Sequence, residues 1–314
     1  MLEWGTGMDR GARVYVAGHQ GLAGSALVRR LREEGRPDPI VRTRAELDLT
    51  RGADVEAFFR TERPEYVFLA ACRGGGIRAN LARPADFIRE NLLIEASVIH
   101  AAFLSGVKRL LFFGCACLYP RDCPQPMREE LLWTGPPEPS SEAFSAAKMA
   151  GLALCEAYNR QHGTEFITVI PATLYGPHDD FDPETGHVLA SLLRRFHEAR
   201  AEPAVSVWGT GRPVRDFLYA DDLAEACLWL MKREETPPGP LNLGTGRGVA
   251  IRELAEAVRS VVGSTARIEF DPSRPDGAPA KVLDVSRARA LGWSARTPLF
   301  EGLRRTYEWY LSRN

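Results

Sequence analysis

A glycine-rich segment near the start of the chain could bind the phosphates of a nucleotide. Gly18, Gly21 and Gly24 recur at every third position, in the order Gly-His-Gln-Gly-Leu-Ala-Gly. An apolar run of strand type precedes this segment, and a stretch with helical spacing follows it. Glycines at such a junction allow a tight turn, and the helix N-terminus offers amide donors to a pyrophosphate. We predict a dinucleotide site at Gly18, Gln20, Gly21, Leu22 and Gly24; the alternative is a turn without a ligand.

Two arginines, Arg42 and Arg44, stand at the end of the second predicted strand. An NAD-selective site usually places an acid near this position to bind the ribose 2′-hydroxyl. Guanidinium groups would instead bind the 2′-phosphate of NADP. The sequence therefore favours NADP(H) over NAD, and the alternative is a pair of solvated surface arginines.

Three of the six cysteines, Cys115, Cys117 and Cys123, crowd into one short segment. We find no export signal and therefore expect reduced thiols. No Cys-x-x-Cys pair or nearby histidine completes a metal site, so no metal is predicted. The segment 114–120 follows the fourth predicted strand. Because ligands of an open α/β sheet lie at the carboxyl ends of its strands, this loop is expected to face the cofactor.

Predicted strands alternate with predicted helices along the first half of the chain. This order is typical of a doubly wound parallel sheet, so we predict the α/β class: a Rossmann-type sheet with a smaller α/β substrate lobe. The predicted strands are 13–18, 39–42, 66–71, 109–114 and 166–171, and the predicted helices are 25–34, 55–60, 84–104 and 142–162.

The chain is long enough for this large domain and a lobe. We predict a disordered leader (1–11), an NADP-binding domain (12–177 with 217–245) and a substrate lobe (178–216 with 246–314). The net charge of −1 gives no general attraction to nucleic acid or to anionic membranes. No apolar run is long enough to span a bilayer, so no membrane partner is predicted and a cytoplasmic location is expected.

Several motifs carry a family resemblance that extends over almost the whole chain. They include 17–21, 42–44, 174–179 and 207–209. Together they resemble the GDP-L-fucose synthase family, which consists of extended short-chain dehydrogenases/reductases. The resemblance implies NADP(H) as cofactor and a GDP-sugar as substrate. It also implies two activities, 3,5-epimerisation and 4-reduction of GDP-4-keto-6-deoxy-mannose.

The resemblance also implies roles for individual residues. Cys117 and His187 are the implied acid/base pair at C3 and C5, a task that suits a thiol and an imidazole. Lys148 is kept, but Phe144 stands where the family has a tyrosine, and Cys115 where it has a serine. The implied cofactor contacts further include Asp48, Leu49, Ala70, Asn91, Lys148, Pro171 and His187, and the implied substrate contacts are Arg195, Trp208, Arg215, Asp276 and Lys281.

These two replacements bear on the reduction step. Phe144 has no hydroxyl, and the thiol of Cys115 is only a weak donor. Loss of a positioned general acid costs about 10²- to 10⁴-fold in rate. We therefore expect an epimerase acting at C3 and/or C5 of a GDP-4-keto-6-deoxy-hexose, with NADPH-dependent C4 reduction weak or lost. Ser145, Tyr119 and Cys115 are the candidate replacement donors, and Lys148 or a water is the candidate partner of the enolate oxygen.

Other interpretations stay open. The chain could be a full bifunctional GDP-L-fucose synthase captured as an active-site variant, or a related enzyme that acts on a different nucleotide sugar. It could also be a non-catalytic nucleotide-sugar binding protein. Helices 84–104 and 142–162 match those that pair in dimers of this superfamily, so the resemblance implies a homodimer. The alternative is that their apolar faces pack only on their own sheet.

Overall fold

A parallel five-stranded sheet organises the first part of the protein, with the strands Val14–Ala17, Tyr66–Leu69, Arg109–Phe113, Glu165–Pro171 and Leu241–Leu243 side by side in this order. The computed structural model describes residues 7–182, 185–200, 202–274 and 276–313. The strands are β1 Val14–Ala17, β2 Tyr66–Leu69, β3 Arg109–Phe113, β4 Glu165–Pro171, β5 Thr173–Tyr175, β6 Ala204–Trp208, β7 Val214–Arg215, β8 Phe217–Tyr219, β9 Leu241–Leu243, β10 Val249–Ala250, β11 Arg267–Asp271 and β12 Ala280–Lys281. The helices are α1 Leu22–Glu33, α2 Gly52–Glu62, α3 Ile77–Ala82, α4 Pro84–Leu104, α5 Glu142–His162, α6 Val188–Glu198, α7 Ala220–Lys232, α8 Ile251–Val262, α9 Ser286–Ala290 and α10 Leu299–Leu311.

Helices cover this sheet in two groups. α1 packs on α7, while α4 packs on α2 and on α5. β1, β2 and β3 are buried along their whole length, as their continuous apolar sequences require for a parallel sheet covered on both faces. The predicted α/β class, with a doubly wound parallel sheet, is confirmed.

A second apolar core lies among α6, α8 and α10. Phe196, Leu254 and Leu303 are fully buried in it. Three smaller sheets flank the main one: β6 pairs with β11, β7 pairs with β10 and β12, and β5 pairs with β8. The segment 283–293 returns to the first core, in which Leu283 and Trp293 are buried. The predicted boundaries place this segment in the lobe; the rest of the predicted division stays a prediction.

The two long helices begin and end where the sequence predicts. Pro84 stands in the first turn of α4, where its missing amide hydrogen costs nothing. Gly163 adopts a left-handed conformation at the C-terminus of α5 and ends that helix. Lys148 and Phe144 therefore lie on one helix, one turn apart.

The predicted strand 39–42 is wrong. Only Ile40 pairs, by donating to the Val14 carbonyl and accepting from the Val16 amide. Pro37 and Pro39 have no amide hydrogen to give to a ladder, so pairing does not extend towards the N-terminus.

The predicted disordered leader is wrong for the part that the structure describes. Met8 is buried in the first core. The Gly7 amide donates to the Lys232 carbonyl, and the Tyr66 hydroxyl donates to the Gly7 carbonyl at 2.5 Å. Sequence polarity did not show these tertiary contacts. Residues 1–6 lie outside the described residues.

Candidate active site

The glycine loop between β1 and α1 has the geometry of a phosphate-binding turn. Gly18 has a φ of +83°, and a Cβ there would lie 2.6 Å from the Ala71 nitrogen. A Cβ on Gly24 would lie 2.1 Å from the Gly18 carbonyl oxygen. Gly21 caps α1 without any side-chain hydrogen bond, so the first amides of the helix next to Leu22 keep no side-chain partner. The loop can therefore offer backbone amides to a diphosphate.

The two predicted phosphate-binding arginines, Arg42 and Arg44, differ in their contacts and in their exposure. Arg42 donates to the Glu62 carboxylate at 2.5 Å, and its guanidinium lies over the Phe58 ring. The Arg44 side chain is 70% exposed and lies 3.4 Å from the Glu90 carboxylate. Arg44 is thus the more readily available partner for a 2′-phosphate.

Three further predicted cofactor residues support the same edge of the sheet. Asn91 is fully buried; its side-chain oxygen accepts from the Arg73 amide at 2.8 Å, and its nitrogen donates to the Arg73 and Phe87 carbonyls. Asp48 accepts from the Thr50 amide and hydroxyl. Ala70 donates its amide to Ala17 at the end of β1. Asn91 therefore holds the loop after β2 in place rather than presenting a free group.

Two other predicted cofactor residues are Leu49 and Pro171. Leu49 packs against the first core, and Pro171 is the buried last residue of β4.

The loop after β3 carries the two cysteines of the predicted catalytic segment. The structure joins Cys115 and Cys117 by a disulfide, with 5.3 Å between their Cα atoms. The expectation of reduced thiols is therefore wrong for this pair, because the short turn brings the two Cα atoms within the range that a disulfide spans. The Ser145 hydroxyl donates to the Cys117 carbonyl at 3.0 Å and ties the turn to α5.

Lys148 is buried against an acid that the sequence interpretation did not assign. Its Nζ atom lies 3.2 Å from Glu95 Oε1, and both side chains are at most 3% exposed. Burial raises the pKa of Glu95, and the Lys148 charge opposes that shift. A Cβ on Gly151 would lie 2.5 Å from Glu95 Oε2, so the glycine makes room for this pair. An acid in the otherwise apolar stretch Leu-Leu-Ile-Glu-Ala of α4 was the signal that could have identified it.

Two of the three candidate replacement donors are already engaged. Ser145 donates to the Cys117 carbonyl, as described above. Tyr119 is buried and donates to the Asn242 side-chain oxygen at 2.7 Å, and burial raises the pKa of its phenol. Phe144 itself packs edge-on against Phe87, with ring centroids 6.2 Å apart. The third candidate, Cys115, is bonded to Cys117 in the disulfide and has no thiol proton to donate.

His187 is the N-cap residue of α6, at the end of a loop organised by Asp180. The Asp180 carboxylate accepts from the Asp182 amide at 2.9 Å and from the Thr185 hydroxyl at 2.8 Å. His187 is exposed to solvent, and desolvation of its ring lowers its pKa while the Asp180 charge opposes that shift. The lowered pKa favours the neutral imidazole, which can accept a proton.

Two predicted substrate residues, Arg215 and Lys281, form a pair of cations. They are direct neighbours across the parallel strands β7 and β12. Burial, and secondly the Arg215 charge, lowers the pKa of Lys281 to about 8, while Glu138 opposes the shift. Burial also lowers the pKa of Arg215. Two adjacent, desolvated cations form a favourable site for an anionic ligand.

A cavity of about 320 Å³ lies next to this pair. Arg121, Glu138 and Asp276 line it, together with Ile77 of α3. Glu138 is buried and lies 3.5 Å from Arg121. Sequence interpretation missed Glu138, because nothing local distinguishes it from a surface acid.

Trp208, at the end of β6, lies between two guanidinium groups. Arg195 is 5.3 Å from the ring centroid and Arg274 is 5.2 Å from it. Asp276 accepts from the Thr210 amide at 2.7 Å and hydroxyl at 2.8 Å, which fixes the neighbouring turn. The sequence predicted Trp208, Arg195 and Asp276 as ligand-contacting residues but not Arg274.

Neither a metal cluster nor a membrane span is found among the described residues. Within them, no three His, Cys, Asp or Glu side chains come together as metal ligands. In the same residues, no helix is both long and apolar enough to cross a bilayer.

Comparison with known proteins agrees with this architecture. A model of the NAD dependent epimerase/dehydratase family matches residues 14–244. The chain belongs to this family. GDP-L-fucose synthase 1 of Arabidopsis thaliana is 51% identical over 305 residues, which are 96% of this chain and 94% of that protein. GDP-L-fucose synthase of Escherichia coli (strain K12) is 48% identical over 309 residues, 95% and 96% of the two chains.

Solved structures share the fold of this chain over nearly its whole length. The crystal structure of a GDP-6-OMe-4-keto-L-xylo-heptose reductase from C. jejuni superimposes with a TM-score of 0.93, at 37% identity, and covers 98% of this chain and 100% of that chain. MlghC, a GDP-mannoheptose C4 reductase from Campylobacter jejuni with NADP bound, has a TM-score of 0.88 at 37% identity, with coverage of 97% and 100%. The resemblance to GDP-L-fucose synthases and the Rossmann-type fold predicted from the sequence are confirmed.

Proposed function

We propose that the chain epimerises a GDP-4-keto-6-deoxy-hexose at C3 and/or C5, and that its reduction of C4 is weak or lost. The proposal is supported by the candidate donors that could replace the missing hydroxyl at Phe144, because they already make other interactions. Phe144 has no hydroxyl, and the hydroxyls of Ser145 and Tyr119 already donate to protein oxygens. His187, in contrast, is exposed to solvent, and its lowered pKa favours the neutral form.

Two groups perform the proton transfers in this proposal. Epimerisation removes a proton next to the C4 ketone and returns one from the opposite face. Neutral His187 is the base, and Cys117 in its thiol form is the acid. Lys148, which is buried 3.2 Å from Glu95 Oε1, is the proposed partner of the enolate oxygen.

NADP(H) is the proposed cofactor. The loop 18–24 offers amides to the diphosphate, and exposed Arg44 is the proposed partner of the 2′-phosphate. Two solved relatives hold NADP: MlghC and a GDP-L-fucose synthetase from Naegleria fowleri. When bound, NADPH supplies a hydride to C4. Without a positioned hydroxyl at Phe144, protonation of the resulting alkoxide lacks its donor, which costs about 10²- to 10⁴-fold in rate.

Arg215 and Lys281 are the proposed partners of the substrate diphosphate. They are adjacent and desolvated, and they lie beside the cavity lined by Glu138 and Asp276. The relatives' names specify GDP-sugars, which agrees with a diphosphate as the anion.

A different GDP-sugar is the second candidate substrate. The C. jejuni GDP-6-OMe-4-keto-L-xylo-heptose reductase superimposes on 98% of this chain. A 4-keto-heptose would then take the place of the hexose, with the same cation pair and the same proton-transfer groups.

A homodimer is proposed through α4 and α5. These helices pack side by side, and α4 exposes Leu92 and Leu104. Exposed apolar side chains on a long helix are a suitable contact for a second copy. The cytoplasmic location stays a prediction.

Product analysis tests the proposed function. The protein, reduced with dithiothreitol, is incubated with GDP-4-keto-6-deoxy-mannose in deuterated water, and deuterium at C3 and C5 is located by NMR. We expect incorporation in the wild type and a loss of at least about 10²-fold in His187→Asn, which keeps the size of the side chain but not its basicity. No incorporation by the reduced wild type would refute the epimerase. Tight GDP-sugar binding without turnover would instead support a binding protein.

A further inference from the structure

The Cys115–Cys117 disulfide lies inside the proposed active site. Both residues belong to the turn at the carboxyl end of β3, and both are partly reached by solvent. Among the free cysteines that the structure describes, Cys123, Cys155 and Cys227 are buried. A small oxidant or thiol can therefore reach the Cys115–Cys117 pair while it is excluded from those three.

This disulfide adds little to the stability of the fold. Disulfide stabilisation grows with the length of the loop that is closed, and here only Ala116 separates the two cysteines. Hydrogen bonds already hold the same turn. The Leu118 amide donates to the Cys115 carbonyl at 3.1 Å, and Ser145 donates to the Cys117 carbonyl at 3.0 Å. The disulfide therefore affects the chemistry of Cys117 more than the stability of the fold.

The disulfide removes the proton that Cys117 needs. A thiol can donate or accept a proton, whereas a disulfide sulfur carries none. Cys115 occupies the position where the family resemblance implies a serine, and a serine could not form this bond. Oxidation of Cys117 to an internal disulfide thus depends on Cys115, a residue that differs from the family pattern.

We propose that Cys115 and Cys117 are a redox-active pair, whose disulfide suspends epimerisation and whose reduction restores it. The proposal rests on the role of Cys117 in the proposed function. The co-reactant is a low-molecular-weight disulfide of the glutathione class. One cysteine thiolate attacks this disulfide and releases one thiol; the second cysteine thiolate then attacks the mixed disulfide, forms the Cys115–Cys117 bond and releases the second thiol. Two protein thiols are oxidised and one external disulfide is reduced to two thiols.

Trypsin offers a direct measurement of this bond. Cleavage after Arg109 and Arg121 releases one peptide, 110–121, that contains Cys115 and Cys117 and no other cysteine. The full-length protein is equilibrated in buffers of increasing oxidised-to-reduced glutathione ratio and blocked with iodoacetamide. The peptide is then analysed by mass, and deuterium incorporation is measured on the same samples.

We expect the peptide from reducing buffer to carry two carbamidomethyl groups, and the peptide from oxidising buffer to carry none and to lack the two thiol hydrogens. Incorporation should fall in parallel by at least about 10²-fold and return in full with dithiothreitol. Cys115→Ser should give a glutathione adduct on Cys117 instead of the internal bond. Cys72→Ser, which removes an exposed thiol outside the pair, should behave like the wild type.

Two results would overturn the proposal. Either the peptide never forms the internal disulfide across the glutathione range, or the protein with the internal disulfide incorporates deuterium as fast as the reduced protein. If the reduced protein incorporates no deuterium, the proposed epimerase function is refuted, and the redox proposal that rests on it is refuted with it.

Discussion

Raising the pH from 7 to 9 should weaken the binding of GDP, because Lys281 loses its proton within this range. Its pKa is lowered to about 8 by burial and by Arg215. The protonated form binds the diphosphate, so affinity is present below pH 8 and is lost above it. With a pKa near 8, about 90% of Lys281 is charged at pH 7 and about 10% at pH 9. If only the charged form contributes, the Kd for GDP rises by up to about tenfold over these two pH units.

Isothermal titration of GDP at pH 7, 8 and 9 measures this change. Lys281→Arg is the matched control, because a guanidinium keeps its charge throughout this range and should give a flat profile. Arg215 remains charged in both proteins, so the difference between the two profiles isolates Lys281. An equal Kd at pH 7 and pH 9 in the wild type would refute the assignment, and so would the same slope in Lys281→Arg.

Three other changes test the remaining parts of the site. Gly24→Ala should weaken NADPH binding at least about tenfold and lower the Tm, because its Cβ would lie 2.1 Å from the Gly18 carbonyl; unchanged fluorescence titrations of NADPH would contradict this geometry. Arg44→Ala should weaken NADPH about tenfold and leave NADH binding unchanged; equal losses for both nucleotides would show that Arg44 does not contact the 2′-phosphate. Phe144→Tyr should raise NADPH oxidation with the 4-keto sugar by about 10²-fold, followed by absorbance; no gain would mean that the missing hydroxyl is not what limits reduction.

Local sequence signals were sufficient for much of the fold. The predicted helices 84–104 and 142–162 agree with α4 and α5, and the structure shows Pro84 at the start of α4 and Gly163 at the end of α5. The glycine spacing likewise predicted the phosphate loop. The predicted strand 39–42 is wrong because the apolar pattern takes no account of Pro37 and Pro39, which have no amide hydrogen to donate to a β ladder.

The parts of the site that sequence did not predict all depend on tertiary contacts. In the sequence, Glu95 does not differ from other acidic residues of helices. Only the structure shows that it lies 3.2 Å from Lys148. Glu138 becomes a site residue only because β7 and β12 bring Arg215 and Lys281 towards it. Spacing alone likewise could not show that Ser145 is engaged by the Cys117 carbonyl.

In the proposed function, proton transfer at C3 or C5 is uncoupled from reduction at C4. One experiment measures both: the reduced protein, GDP-4-keto-6-deoxy-mannose and NADPH in deuterated water, with deuterium incorporation and NADPH loss followed in the same sample. We predict many deuterium atoms incorporated for each NADPH consumed, with a ratio of at least about 10². One NADPH consumed for each molecule of sugar epimerised would contradict the account, since it would show that Phe144 and Cys115 leave the reduction intact.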